Sequence, residues 1–131
     1  MDSVFKDWNV IITGGTRGIG LATAEAFSGA GAFVTSLYRS DGDAAAAAAR
    51  KLGSRAEVFK IDVSDYGQVE EFFARFNAKH GSLHVLVNNA GIRKDAVVGM
   101  MSYDDWSKVI NTNLTGTYNM CKFAVLKMME N

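Results

Sequence analysis

The chain contains no proline and one cysteine, Cys121, among 131 residues. A single cysteine excludes an intramolecular disulfide and a zinc site built from cysteines. Net charge is absent as well, because 14 Lys and Arg balance 14 Asp and Glu. That balance lacks the electrostatic footprint of a general nucleic-acid binder. No apolar run nears the roughly 20 residues a membrane helix needs. The stretch Met1 to Trp8 is charged and poor in apolar residues, unlike a signal peptide. These absences lead to the expectation of a soluble protein in a reducing cytoplasm, without metal, nucleic-acid or membrane partners.

What is present is a globular pattern. Apolar residues make up 48% of the chain, which excludes a disordered polymer. Short apolar runs alternate with amphipathic stretches. Asn9–Thr13 is a β-branched run that stops at glycine. Ile19 to Ser28 reads as a helix, with Ile19, Ala22, Thr23, Ala26 and Phe27 on one stripe. Ala32–Tyr38 is a second strand. Asp43 is placed to cap a helix through the alanines to Leu52, which Gly53 ends. Ala56–Ile61 is a third strand. Ser64 or Asp65 caps the next helix, whose Val69, Phe72, Phe73 and Phe76 follow the i, i+3, i+4, i+7 rule. Leu83–Val87 is a continuous apolar strand of the buried parallel kind. One long helix runs from about Tyr103 to Met129. The order βαβαβαβα argues for an α/β fold, a parallel sheet with helices on both faces.

The most informative motif is Thr13-Gly14-Gly15-Thr16-Arg17-Gly18-Ile19-Gly20, which follows the first strand and opens the first helix. A helix N-terminus offers free N–H groups and a positive dipole end to a phosphate. The spacing is neither the G-x-G-x-x-G fingerprint nor a P-loop. From the glycines alone, a phosphate cradle and an ordinary glycine-rich turn carry comparable weight. At the end of the second strand, where an acid would hold ribose hydroxyls for NAD, the chain has Tyr38-Arg39-Ser40. Arg39 and Arg17 are placed to converge on a 2′-phosphate through charge-assisted contacts. Two exposed arginines are the bland alternative, but their placement favours NADP(H) over NAD(H). Asn88-Asn89-Ala90-Gly91 follows the fourth strand, where parallel sheets bind ligands. A plain turn would use the same residue types.

Taken with Asp62-Val63 after the third strand and Asn111-Thr112-Asn113-Leu114 in the long helix, these motifs resemble the short-chain dehydrogenase/reductase family over the whole chain. Gly91 to Asp95, Met100-Met101, Asp104 to Trp106 and Val109 to Gly116 most resemble its 3-oxoacyl-acyl-carrier-protein reductases, and also its acetoacetyl-CoA reductases. The resemblance implies a Rossmann-type doubly wound parallel sheet of four strands in the order 3-2-1-4. It implies that residues 1–131 are the NADP-binding half of one reductase domain, truncated after the fourth helix. It assigns the cofactor to Gly14, Gly15, Thr16, Arg17, Gly18, Ile19 and Gly20, with Arg39 and Ser40 at the 2′-phosphate. Asp62 and Val63 fall at the adenine, and Asn89, Ala90 and Gly91 beside the second ribose. Asn88 falls where an asparagine braces the sheet. Asn113 matches a catalytic asparagine whose backbone helps hold a water of the proton relay. An asparagine inside a helical run also suits a local kink.

The resemblance further implies hydride transfer to the carbonyl of a small or carrier-linked 3-oxoacyl thioester, with a homo-oligomeric enzyme. The family's serine and its Tyr-x-x-x-Lys pair lie after a fifth strand that residues 1–131 do not reach. Tyr118 and Lys122 show the right spacing but stand only just beyond Asn113 in the same helix, without that context, so they are read as a decoy. The expectation is an enzyme by family whose 131 residues alone are inactive. Alternatives are a stand-alone nucleotide-binding module and a folding or assembly fragment. His80 and His84 are read as structural, and Cys121 as a small apolar residue. An exposed fourth strand predicts self-association.

Overall fold

The computed structural model describes residues 4–130, so the reading of Met1 to Ser3 and of Asn131 lies outside the described residues. Four parallel strands, β1 (Asn9–Thr13), β2 (Phe33–Tyr38), β3 (Ala56–Lys60) and β4 (Val85–Val87), form one sheet in the order β3-β2-β1-β4. Val10 stands beside Val34 of β2 and Val85 of β4, so β1 is covered on both sides. The strands alternate their side chains between faces, and both faces are apolar, as expected where helices cover both.

One face packs under α1 (Gly18–Gly29) and α2 (Gly42–Leu52), with Val10, Ile12, Ala24, Ala32 and Val34 buried between them. The other packs under α3 (Tyr66–Lys79) and α5 (Gly116–Met128), with Ile11, Leu37, Phe72, Phe73, Phe76 and Met120 buried. Fully burying each large side chain of this kind contributes about 1.5–3 kcal/mol. The phenylalanine stripe expected from the spacing is the buried face of α3. Its N-cap is Asp65, which accepts from the Gln68 N–H at 3.1 Å.

Four expectations change. The α1 stripe is displaced in part: Phe27 packs against the core beside buried Gly20 and Ala24, whereas Ile19 is 80% exposed and Ala22 and Ala26 face outward. Near its start this helix meets the sheet through its smallest residues, so an apolar-size pattern missed Gly20 and Ala24. The cap of α2 is Asp41 rather than Asp43, because Asp41 Oδ1 reaches the Ala44 N–H at 3.0 Å. Strand β4 is shorter than Leu83–Val87. At its start the Asn9 N–H donates to the His84 ring, 2.9 Å away, instead of to a main-chain partner. The long helix is not uniform, since α4 (Tyr103–Ile110) passes through a π-helical turn at Asn111–Thr115 before α5. The expected kink therefore falls at Asn113 and takes the form of a one-turn widening.

Candidate cofactor-binding site

A cleft of about 310 Å³ opens at the carboxyl ends of β1, β2 and β3, where the chain leaves the sheet on both sides of β1. Thr13 ends β1 just before the first lining residue, Gly14. The buried Thr13 hydroxyl accepts from the Asn89 and Ala90 N–H groups at 3.0 and 2.9 Å. Asn89 Nδ2 in turn donates to the Gly14 carbonyl at 3.0 Å. Three bonds thus lock the loop after β4 to the loop after β1.

Two glycines make that closeness possible. Gly14 has a φ of +65°, which L side chains rarely adopt, and a Cβ there would press on the Asn89 amide. At Gly20 a Cβ would overlap the Gly14 carbonyl and stand 2.6 Å from Asn89 Nδ2. Helix α1 therefore begins directly against the cleft. No side chain caps its N-terminus, at Arg17, and its first turn holds no acidic residue. The free N–H groups and positive dipole end remain available to an anion.

The wall opposite carries a basic group. Arg39, Ser40 and Asp41 line it, and Arg17, at the start of α1 itself, reaches to within 3.6 Å of the Asp41 carboxylate. Asp62 and Val63 line the next part. Asp62 Oδ1 accepts from the Ser64 N–H and hydroxyl at 3.0 and 2.7 Å, which fixes the turn after β3. Val63 is held from behind by α5. Buried Asn119 donates to the Val63 carbonyl at 2.9 Å, and a Cβ on Gly116 would stand 2.6 Å from Val63 Cγ2.

Asn113 closes the far end. Its side chain accepts from the Ile92 N–H and donates to the Ile92 carbonyl, both at 2.9 Å. Its own carbonyl accepts from the Thr117 hydroxyl at 2.9 Å. The π turn thus carries an amide that satisfies both main-chain groups of Ile92 across the cleft mouth.

Of the expected residues, Gly14, Thr16, Arg17, Gly18, Arg39, Ser40, Asp62, Val63, Asn89, Ala90 and Gly91 line one cleft. Gly15 and Gly20 pack beneath it, Ile19 is exposed outside it, and Asn113 braces it through Ile92. Asn88 does not brace the sheet by its side chain. Its amide donates to Cys121 Sγ at 3.3 Å on α5, and the bracing falls to Thr13 and Asn89. Sequence reasoning missed Asp41, Asn119 and Thr13 as shapers of the site. Asp41 stood in the loop two residues beyond Arg39, and Asn119 was detectable as a polar residue between Gly116 and Met120.

The Tyr118 and Lys122 pair is separated by its surroundings. Lys122 Nζ donates to the Tyr66 hydroxyl at 2.7 Å and lies over the Tyr66 and Phe123 rings. The Tyr66 bond, more than any other influence, holds the ammonium above its ordinary pKa. Neither residue of the pair lines the cleft. Among the described residues no three His, Cys, Asp or Glu side chains converge as a metal site, and no helix is long and apolar enough to cross a membrane.

A parallel sheet with an uncapped glycine-rich helix start at its switch point defines a Rossmann-type fold, which takes ligands at that point. The model of the short chain dehydrogenase family matches residues 8–131. The chain belongs to that family. It is 38% identical over 132 residues to a 3-oxoacyl-[acyl-carrier-protein] reductase FabG of Chlamydia pneumoniae, covering 99% of this chain and 53% of the relative. It is 46% identical over 110 residues to an acetoacetyl-CoA reductase of Shinella zoogloeoides, covering 84% of this chain and 45% of that protein. A mutant short-chain dehydrogenase/reductase of Serratia marcescens superposes with a TM-score of 0.89 at 25% identity, covering 94% of this chain and 51% of that one. The chain spans about half the length of the relatives it matches.

Proposed function

We propose that the chain is the cofactor-binding half of an NADP(H)-dependent oxidoreductase that reduces a 3-oxoacyl thioester to the 3-hydroxyacyl thioester. The observation that carries the cofactor is a pair of arginines lining the cleft beside an uncapped helix start, Arg17 at the helix start and Arg39 in the loop after β2. A pyrophosphate suits the free N–H groups of α1, and Arg17 and Arg39 suit a 2′-phosphate by bidentate contact. Gly14 and Gly18 line the cleft with backbone alone, both at positive φ, and this bare backbone fits a closely held ligand. Asp62 and Val63 would flank the adenine, and Asn89, Ala90 and Gly91 the second ribose. When bound, the nicotinamide supplies a hydride. The chain's own residues bind, orient and shield it. Asn113 keeps the cleft mouth in place by holding the Ile92 peptide.

The substrate class rests on the relatives' names, a 3-oxoacyl-carrier-protein reductase and an acetoacetyl-CoA reductase. Both act on 3-oxoacyl thioesters, so the shared chemistry is the thioester rather than its carrier. We expect no turnover from residues 1–131 alone, because Lys122 is committed to Tyr66 and no tyrosine–lysine pair faces the cleft. A second reading is a nucleotide-binding module without redox chemistry, in keeping with a cleft lined by Gly14, Arg17, Arg39, Asp62 and Asn89 while Tyr118 and Lys122 stand outside it. The coding sequence beyond Asn131 separates the two. A fifth strand, a serine and a Tyr-x-x-x-Lys motif support the reductase, and a stop codon directly after Asn131 replaces it with the second reading.

A further inference from the structure

Asp41 is a negative charge on the wall that the proposed cofactor site needs positive. Its carboxylate does two jobs at once. One oxygen accepts from the Ala44 N–H at 3.0 Å and caps α2. The other lies 3.6 Å from the Arg17 guanidinium. The remaining carboxylate of the cleft, Asp62, is turned to Ser64 instead. Asp43, in the first turn of α2, does not line the cleft.

Resting on the NADP(H) reading, we propose that Asp41 is a specificity-setting residue that weakens the site's preference for a 2′-phosphate. It does so by holding Arg17 as its own counter-ion and by placing a like charge beside the phosphate. Both partners are well exposed, so the pair is a weak one and a phosphate dianion can displace it. The exchange has a cost all the same. Arg17 leaves one anion for another, and Asp41 cannot withdraw because its second oxygen is pinned to the start of α2. A nucleotide without the 2′-phosphate meets neither penalty.

Calorimetric titration of the 131-residue chain with 2′,5′-ADP and with 5′-AMP, at low salt, separates these contributions. Asp41→Asn keeps an acceptor for the Ala44 N–H and removes only the charge, so α2 stays capped. Asp41→Ser supplies a second capping side chain should the first variant fold poorly. Both variants are expected to bind 2′,5′-ADP about threefold more tightly, within the range of an exposed ion pair. Binding of 5′-AMP should stay unchanged, and Asp43→Asn should behave as the wild type. An unchanged or weaker affinity for 2′,5′-ADP in both Asp41 variants, equal tightening of both nucleotides, or the same gain in Asp43→Asn overturns the proposal. A wild-type chain that does not prefer 2′,5′-ADP to 5′-AMP defeats the NADP(H) reading itself, and this inference with it.

Discussion

Beneath α3 and α5 the sheet is covered by Phe72, Phe73, Phe76 and Met120, whereas the buried residues of α1 and α2 are Gly20, Ala24, Ala45 and Ala48. The aromatic face buries large side chains in tilted and edge-on ring pairs, among them Phe72 with Phe73 at 5.1 Å between centroids. The small-residue face buries little per residue, but it lets α1 start against the end of β1. A bulky helix would stand further off and carry its N–H groups away from the cleft. One face supplies cohesion, and the other gives up cohesion for access to a ligand. The two should therefore fail differently when altered.

The largest expected effect is on the aromatic face. Phe73→Ala removes a ring that is 1% exposed and should destabilise the chain by about 3–5 kcal/mol, read as a shift in urea midpoint. Next comes the small-residue face. Gly20→Ala forces a methyl onto the Gly14 carbonyl and the Asn89 amide, and should destabilise the fold by about 1–3 kcal/mol. Unlike Phe73→Ala, it should also abolish dinucleotide binding in whatever fraction stays folded, because the phosphate cradle itself shifts. Equal loss of stability with unaltered nucleotide affinity would erase the distinction between the faces.

A smaller effect lies at the far end of β3. Burial pushes the Glu57 carboxyl up, but hydrogen bonds from Lys79, His80 and Thr35, with the Lys79 charge, outweigh it and hold its pKa below the ordinary 4.5. A carboxylate lowered in the folded state stabilises above its unfolded pKa and loses that contribution as pH falls through the folded value. Melting temperature should therefore drop as pH falls below 4.5, and Glu57→Gln should flatten that part of the profile. A profile unchanged by the substitution would show that the cluster at β3 does not hold the C-terminal end of α3. Smaller still is the effect of the open β4 edge, which should give concentration-dependent self-association by light scattering. A monomeric mass at every micromolar concentration would contradict it.

Much of this was legible before any coordinates. Strand β1 and the phenylalanine stripe of α3 follow from β-branched runs and a 3.6-residue period. The residues of the cleft follow from glycines and asparagines placed just after strands. The misreadings have distinct physical causes. Periodicity weighs large apolar side chains, and α1 is buried through Gly20 and Ala24, which carry almost no such weight. Asp41 and Asp43 are equally good caps by type, and only backbone geometry chooses between them. That Asn89 rather than Asn88 ties the two loops together reflects alternation along the chain, which sends one amide toward α5 and the other toward Gly14. The Arg17–Asp41 pair joins residues of two loops and leaves no local trace in the sequence.

The central claim is that the small-residue face and its two arginines make an NADP(H) site. Calorimetric titration of the chain with NADPH and NADH, alongside an Arg17→Ala/Arg39→Ala variant, tests it directly. NADPH is expected to bind more tightly than NADH by at least about tenfold, as one charge-assisted contact would give. The double variant should lose this preference while still binding NADH. Equal affinity for the two dinucleotides, or a preference that survives the loss of both arginines, would contradict that claim.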